Sequence, residues 1–301
     1  MRKNLTKKLF LSVLTLAFAV ISLGASTYAW FTMSNQATVE AFTADVKAGE
    51  GIEVAVTPTA DHSAAQWYTG LVPTGVVQAA AVPTNFVFDA VTSKDANATI
   101  VERGGTTEIS EGYIKFYIHI KAAQGGTIKL DGITLASKEN GGAVQPWIAD
   151  AAYQLDATRG VVVNDKVTYK VEDAARVSIN ANTKTTIYEK AAVAASGEKV
   201  TDGVSTYVAG NQKGQKVTNG AFSYYNAKMA EKLKIEDAFE YSTVELEDLP
   251  TKNNTLKTVT KGEVLTIEVK VWIEGWDAEC LNAIFAQTLS VAFSFKYEEQ
   301  Q

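Results

Sequence analysis

Three segments of this chain alternate apolar and polar residues with a period of two, and that alternation restricts the fold more than any other feature. From Tyr113 to Lys121, Ile114, Phe116, Ile118 and Ile120 fall on one side, and Tyr113, Lys115, Tyr117, His119 and Lys121 on the other. Leu265, Ile267, Val269, Val271 and Ile273 alternate with Thr266, Glu268, Lys270, Trp272 and Glu274. Leu289, Val291, Phe293 and Phe295 alternate with Thr288, Ser290, Ser294 and Lys296. A strand sends successive side chains to opposite faces, so each segment reads as a strand with one apolar and one solvated face. Antiparallel sheets tolerate one wet face, and their apolar faces are best buried against each other. The expected fold class is all-β, an antiparallel two-sheet sandwich.

Turn chemistry supports this reading. Asp131-Gly132 separates Thr127–Leu130 from Ile133–Leu135, and Asp202-Gly203 separates Lys199–Thr201 from Val204–Val208. Asp-Gly supplies the positive φ angles of tight hairpins, so a reversal is expected at each. Gly104-Gly105, Gly125-Gly126 and Gly141-Gly142 mark further reversals. Other strands are expected over Thr38–Val46, Ile52–Thr57, Phe86–Val91, Gly160–Val171 and Arg176–Tyr188. Helix signals are sparse: a short helix within Gln145–Leu155 starting near Trp147, and one or two turns within Phe222–Phe239. The Ala- and Gly-rich stretch 191–220 reads as an extended hairpin or surface insertion.

The N-terminus has a different composition. Arg2, Lys3, Lys7 and Lys8 precede an apolar run from Leu9 to Leu23, and small residues follow at Gly24, Ala25, Ser26, Thr27 and Ala29. A basic region, an apolar region and a small-residue site in that order form a secretory signal peptide. Cleavage is expected between Ala29 and Trp30, with Ser26 as the alternative site and an uncleaved membrane anchor as the alternative reading. The expected organisation is a signal peptide over 1–29 and one β-sandwich domain over 30–301, with no stable membrane span after cleavage. Removing four bases and no acid takes the net charge from −6 to about −10. Such an acidic surface argues against nucleic acid, whose phosphates need clustered Lys and Arg.

No constellation of catalytic residues stands out. One cysteine excludes an intramolecular disulfide framework, and two histidines leave little for a metal centre. His62 and His119 read as surface or rim residues. Cys280, with Asp277 and Glu279 beside it, reads as a buried apolar filler, because neighbouring acids disfavour a thiolate. Glu274, Asp277 and Glu279 lack the spacing of a calcium loop. Asp277 reads more simply as the N-cap of a helical turn over Ala278–Phe285. The expectation is a protein without catalytic residues, cofactor or metal ligands. Trp67, Tyr68, Trp147, Trp272 and Trp276 form the basis of an alternative, a monomeric extracellular glycan- or surface-binding module.

The run Ser26-Thr27-Tyr28-Ala29-Trp30-Phe31-Thr32, followed by Ala37–Phe42 and Gly51-Ile52-Glu53-Val54, resembles the TasA/camelysin family of exported bacterial proteins. The segments Val271–Cys280, Asn282-Ala283-Ile284 and Asp173–Ile179 are similar to a broader group that shares this kind of signal boundary. The resemblance covers about a third of the chain. It implies a jelly-roll-like sandwich, a specialised signal peptide cut by a dedicated signal peptidase, and assembly into extracellular or biofilm-matrix fibres. The implied partners are further copies of the chain or related matrix proteins. The implied assembly strand is Trp30–Val46, with Trp30, Phe31, Val39, Ala41, Phe42 and Val46 as its apolar residues. Donated to a neighbour's sheet, such a strand binds through main-chain hydrogen bonds and takes its register from side-chain alternation. The phase slip between Ala41 and Phe42 is the expected place for a bulge. The alternative is that Thr38–Val46 is the first strand of its own sandwich.

Overall fold

A computed structural model of the chain describes residues 41–84, 86–103, 105–199, 204–212, 218–229, 246–249 and 254–300. In chain order its elements begin with β1 (Ala41–Lys47), β2 (Ile52–Thr57), α1 (Thr74–Ala81), β3 (Ala90–Ser93), β4 (Ile100–Glu102), β5 (Ile114–Ala122) and β6 (Gly126–Glu139). There follow β7 (Trp147–Ile148), β8 (Tyr153–Gln154), β9 (Gly160–Val161), β10 (Lys166–Thr168), α2 (Val171–Ala174), β11 (Ala175–Ala181) and β12 (Lys184–Lys190). The last are β13 (Ser196–Lys199), β14 (Ser205–Val208), α3 (Ala221–Lys228), β15 (Leu246–Leu249), β16 (Asn254–Val259), β17 (Val264–Glu274) and β18 (Gln287–Glu299), with a 3₁₀ turn at Asn282–Ile284 before β18.

The protein is an all-β sandwich. One sheet has the order β1-β18-β6-β16. The facing sheet runs β15-β12-β11-β17, continues through β5 to β2, and carries β3 and β4 at the far end of β17. The alternation read from the sequence produces this packing directly. Leu289, Val291, Phe293 and Phe295 of β18 are buried against Phe116, Ile118 and Ile120 of β5 and Ile267, Val269 and Val271 of β17. Phe116 and Phe293 meet edge to face across the interface, with ring centroids 6.0 Å apart. A smaller sheet, β13-β14-β10-β7, and a ribbon, β8-β9, complete the architecture.

Several local expectations are corrected. Asp131-Gly132 makes no hairpin; β6 runs through it. Opposite it the ladder passes from Gly132↔Ser294 to Leu130↔Phe295, which leaves Asp131 as the extra residue of a β-bulge. The physical reason is phase. Ile128 and Leu130 lie on one parity and Ile133 and Leu135 on the other, and one inserted residue keeps all four on the buried face. Conversely, Arg176–Tyr188 is two strands. Ala181 pairs with Lys184 around Asn182 and Thr183, whose φ angles of 50° and 70° are those of a two-residue hairpin turn.

Gly160–Val171 breaks into β9, β10 and the start of α2, and the strand expected over Phe86–Val91 is found at Ala90–Ser93. Gln145–Leu155 contains strand residues β7 and β8 in place of a helix, because Trp147 is taken into a ladder with Val167. α1, over Thr74–Ala81, was not expected; it is short, and its pattern is dominated by alanine and valine. α3 falls within Phe222–Phe239, and the part of that stretch beyond 229 lies outside the described residues. The stretch 191–220 contains the hairpin β13–β14, whose turn at Asp202-Gly203 is likewise outside them; β14 continues the pairing into β10. Pairing is mainly antiparallel, but β1–β18, β12–β15, β10–β14 and β17–β3 are parallel.

Candidate functional site

The residues singled out for assembly lie at the start of the first sheet. Ala29, Trp30, Phe31 and Val39 are outside the described residues. Ala41 and Phe42 open β1, which pairs in parallel with β18 of the same chain from Ala41↔Thr288 to Lys47↔Ser294. That ladder has no register shift, so the bulge expected at Ala41–Phe42 is absent. Ala44 and Val46 point into the core, while Thr43, Asp45 and Lys47 are exposed. The Thr43 and Ser290 hydroxyls lie 2.6 Å apart on the outer face. Among the described residues, β1 is the last strand of its sheet. Beyond it, Val72 N donates to Val46 O and Ala48 N to Gly70 O, so a short piece of chain covers its C-terminal end. A tight turn containing Gly49 and Gly51 then leads into β2 in the opposite sheet.

The second notable region lies on the outer face of the larger sheet. The half-solvated face expected for β17 is wet only in part. Lys270, Trp272 and Glu274 are buried, covered by a separate apolar group comprising Val91, Ala98, Ile100, Tyr113 and Ile187. Register explains what meets there. Arg176 is directly opposite Trp272, and β11 pairs with β12 through Val177 and Tyr188, which brings Glu189 beside Arg176. The Arg176 guanidinium donates from Nη1 to Glu274 Oε2 at 2.8 Å and from Nε to Glu189 Oε2 at 3.3 Å. Glu274 also accepts from Trp272 Nε1 at 3.2 Å and from Trp276 N at 3.3 Å.

Asp277 is part of this arrangement and does not cap a helix; the only helical turn in the crossover is the 3₁₀ turn at Asn282–Ile284, with Leu281 at its N-cap. Its Oδ1 accepts from Glu279 N at 2.9 Å. Glu279 is buried as well and accepts from Gln212 N at 3.3 Å. Sequence reasoning grouped Glu274, Asp277 and Glu279 but missed Arg176 and Glu189. The available signal was Arg176 itself, a lone charge within the apolar run Ala174–Ile179. Among the described residues, no set of three His, Cys, Asp or Glu side chains has metal-binding geometry.

Other candidates resolve individually. His119 is fully buried, a correction to its reading as a surface residue: Nε2 lies 2.7 Å from Thr57 Oγ1 and Nδ1 3.0 Å from Thr266 Oγ1. Burial, and next the nearby His62, push its pKa down; the two rings are 5.1 Å apart. Cys280 is buried, and burial pushes its thiol up to about 12, which leaves it protonated at neutral pH.

Comparison with protein-family models, curated proteins and solved structures finds no match for this chain. Its chemistry therefore rests on its own geometry. The aromatic rings considered for glycan stacking are engaged: Trp272 is buried, the Lys121 ammonium lies 4.3 Å from the Trp67 ring centroid, and Trp147 packs edge-on against Tyr224. Trp276 carries the Arg103 guanidinium at 5.3 Å. Among the described residues, two features have capacity to act: an edge strand at the start of the described chain, and a buried cluster in which acids outnumber bases.

Proposed function

We propose that this chain is an exported structural protein that assembles with copies of itself into extracellular fibres by exchanging its N-terminal strand. The observation that carries the reading is the place of β1: a terminal strand at a sheet edge, preceded by the segment whose residues resemble the TasA/camelysin boundary. An edge strand makes the same main-chain hydrogen bonds to β18 whether it comes from its own subunit or a neighbour, so exchange costs little. Head-to-tail exchange does not close on itself, and its product is a filament. The turn with Gly49 and Gly51 is the natural hinge, since a few residues there can absorb the change in chain direction.

Mature protein starting at Trp30 should form filaments by electron microscopy, and deletion of Trp30–Asn35 should abolish them. Chain origin is read by Thr43→Cys with Ser290→Cys, which replaces two touching hydroxyls. Under oxidation, exchanged strands yield a covalent ladder on a non-reducing gel. If filaments form but every cross-link stays within one chain, exchange of β1 is wrong.

A further inference from the structure

Among the described residues, the cluster behind Trp272 has a charge balance that ion pairing does not close. Glu189, Glu274, Asp277 and Glu279 are all at most 2% exposed, as is Arg176. Glu274 and Glu189 take up the Arg176 guanidinium. The other buried guanidinium nearby, Arg103, donates to Gly275 O and stacks on Trp276. Among the described residues, the cation that reaches Asp277 and Glu279 is Arg176, whose Nη2 lies 3.9 Å from Asp277 Oδ2. Glu279 N donates to Asp277 Oδ1 at 2.9 Å, so the two buried carboxyl groups are neighbours in the crossover, and burial favours the protonated form of each.

We propose that Asp277 and Glu279 share one buried proton at neutral pH, and that this proton keeps the β17–β18 crossover docked, so that its loss at alkaline pH loosens the crossover. The groups facing the pair come from every element around it. Arg176 belongs to β11, Glu189 to β12 and Glu274 to β17; Asp173 of α2 and the Tyr169 phenol before it also face Glu279; Cys280 follows in the crossover. Among the described residues that face the pair, Arg176 is the sole cation, and its closest contacts are to Glu274 and Glu189. Losing the proton would place two adjacent anions in a space closed to water, the same like-charge conflict that makes paired carboxyl groups share a proton in other proteins. The crossover is the element that would yield, because Gln212 N and Glu279 N are the main-chain donors holding the pair in place.

The sign follows from linkage. Burial raises Asp277 to about 7 and Glu279 well above the carboxylate range. A raised carboxyl contributes stability that is fully present below its unfolded value and lost as pH rises through the folded value. His119 acts in the opposite direction: its neutral form is favoured, and its contribution is lost on acidification.

Glu279→Gln replaces the protonated carboxyl by an amide that still donates to Asp277 and still accepts from Gln212. From pH 5 upward, the wild-type unfolding constant should rise relative to the variant by as much as tenfold per pH unit, one proton's worth, until the pair has titrated. At pH 6 the infrared spectrum of wild type should contain a protonated-carboxyl C=O stretch that Glu279→Gln lacks. If Glu279→Gln fails to fold, Asp277→Asn serves by the reverse donation. Parallel pH profiles for wild type and variant, or a wild-type spectrum at pH 6 without the protonated stretch, overturn the proposal.

Discussion

Arg176 shows how a single side chain can be indispensable without being a net gain. It is buried, and its guanidinium is shared between Glu274 and Glu189. Burying ions carries a desolvation cost that the pairing offsets only when donors and acceptors are matched, and removing one partner leaves charges without compensation. Arg176→Leu should therefore lower stability by about 3–5 kcal/mol in urea unfolding at pH 7. The exposed pair Lys296–Asp131, at 2.6 Å with Lys296 54% exposed, should cost less than about 1 kcal/mol when Lys296→Ala removes it. Equal losses at both sites would show that burial does not govern these charges. Arg176 was legible as an anomaly, a charge inside an apolar run, but its partners are 13 and 98 residues away. No local pattern names them.

Among the elements, β6 shows most clearly what a strand needs from its neighbour. Its apolar residues change parity between Leu130 and Ile133, and the bulge at Asp131 restores their common face against an uninterrupted β18. Asp-Gly is equally compatible with a tight turn and with a bulge, and the choice depends on β18, more than 150 residues downstream. Deleting Asp131 removes the extra residue: Leu130 and Ile133 then stand two apart, and a regular ladder to the same β18 partners keeps Ile128, Leu130, Ile133 and Leu135 on one face. The stability read from the urea midpoint should therefore change by less than the value of one buried apolar side chain, about 1.5–3 kcal/mol. A loss of roughly 3–6 kcal/mol, equal to exposing two such side chains, would mean that the bulge does more than phase the strand. The β11–β12 turn was missed for a related reason: Asn182 favours positive φ, but the β-branched Thr183 does not.

At the scale of the whole molecule, the acidic balance bears on assembly. In the proposed mature form, without the basic N-terminal segment, copies carrying about −10 each repel one another. Raising salt from 0.01 M to 0.15 M shortens the screening length from about 30 Å to about 8 Å, so filament growth followed by light scattering should accelerate. Growth that slows with salt would point instead to attraction between opposite charges at the contact. The sequence alone determined that the chain is a β-sandwich and which faces of β5, β17 and β18 are apolar, because period-two alternation is written into neighbouring residues. Tertiary structure decided the rest: that β1 lies parallel to β18, that Asp131 is a bulge, and that the polar face of β17 closes over Arg176, Glu274 and Asp277. Each of these depends on partners far along the chain, and the free energy of a buried charge or a paired edge is set by what is packed against it.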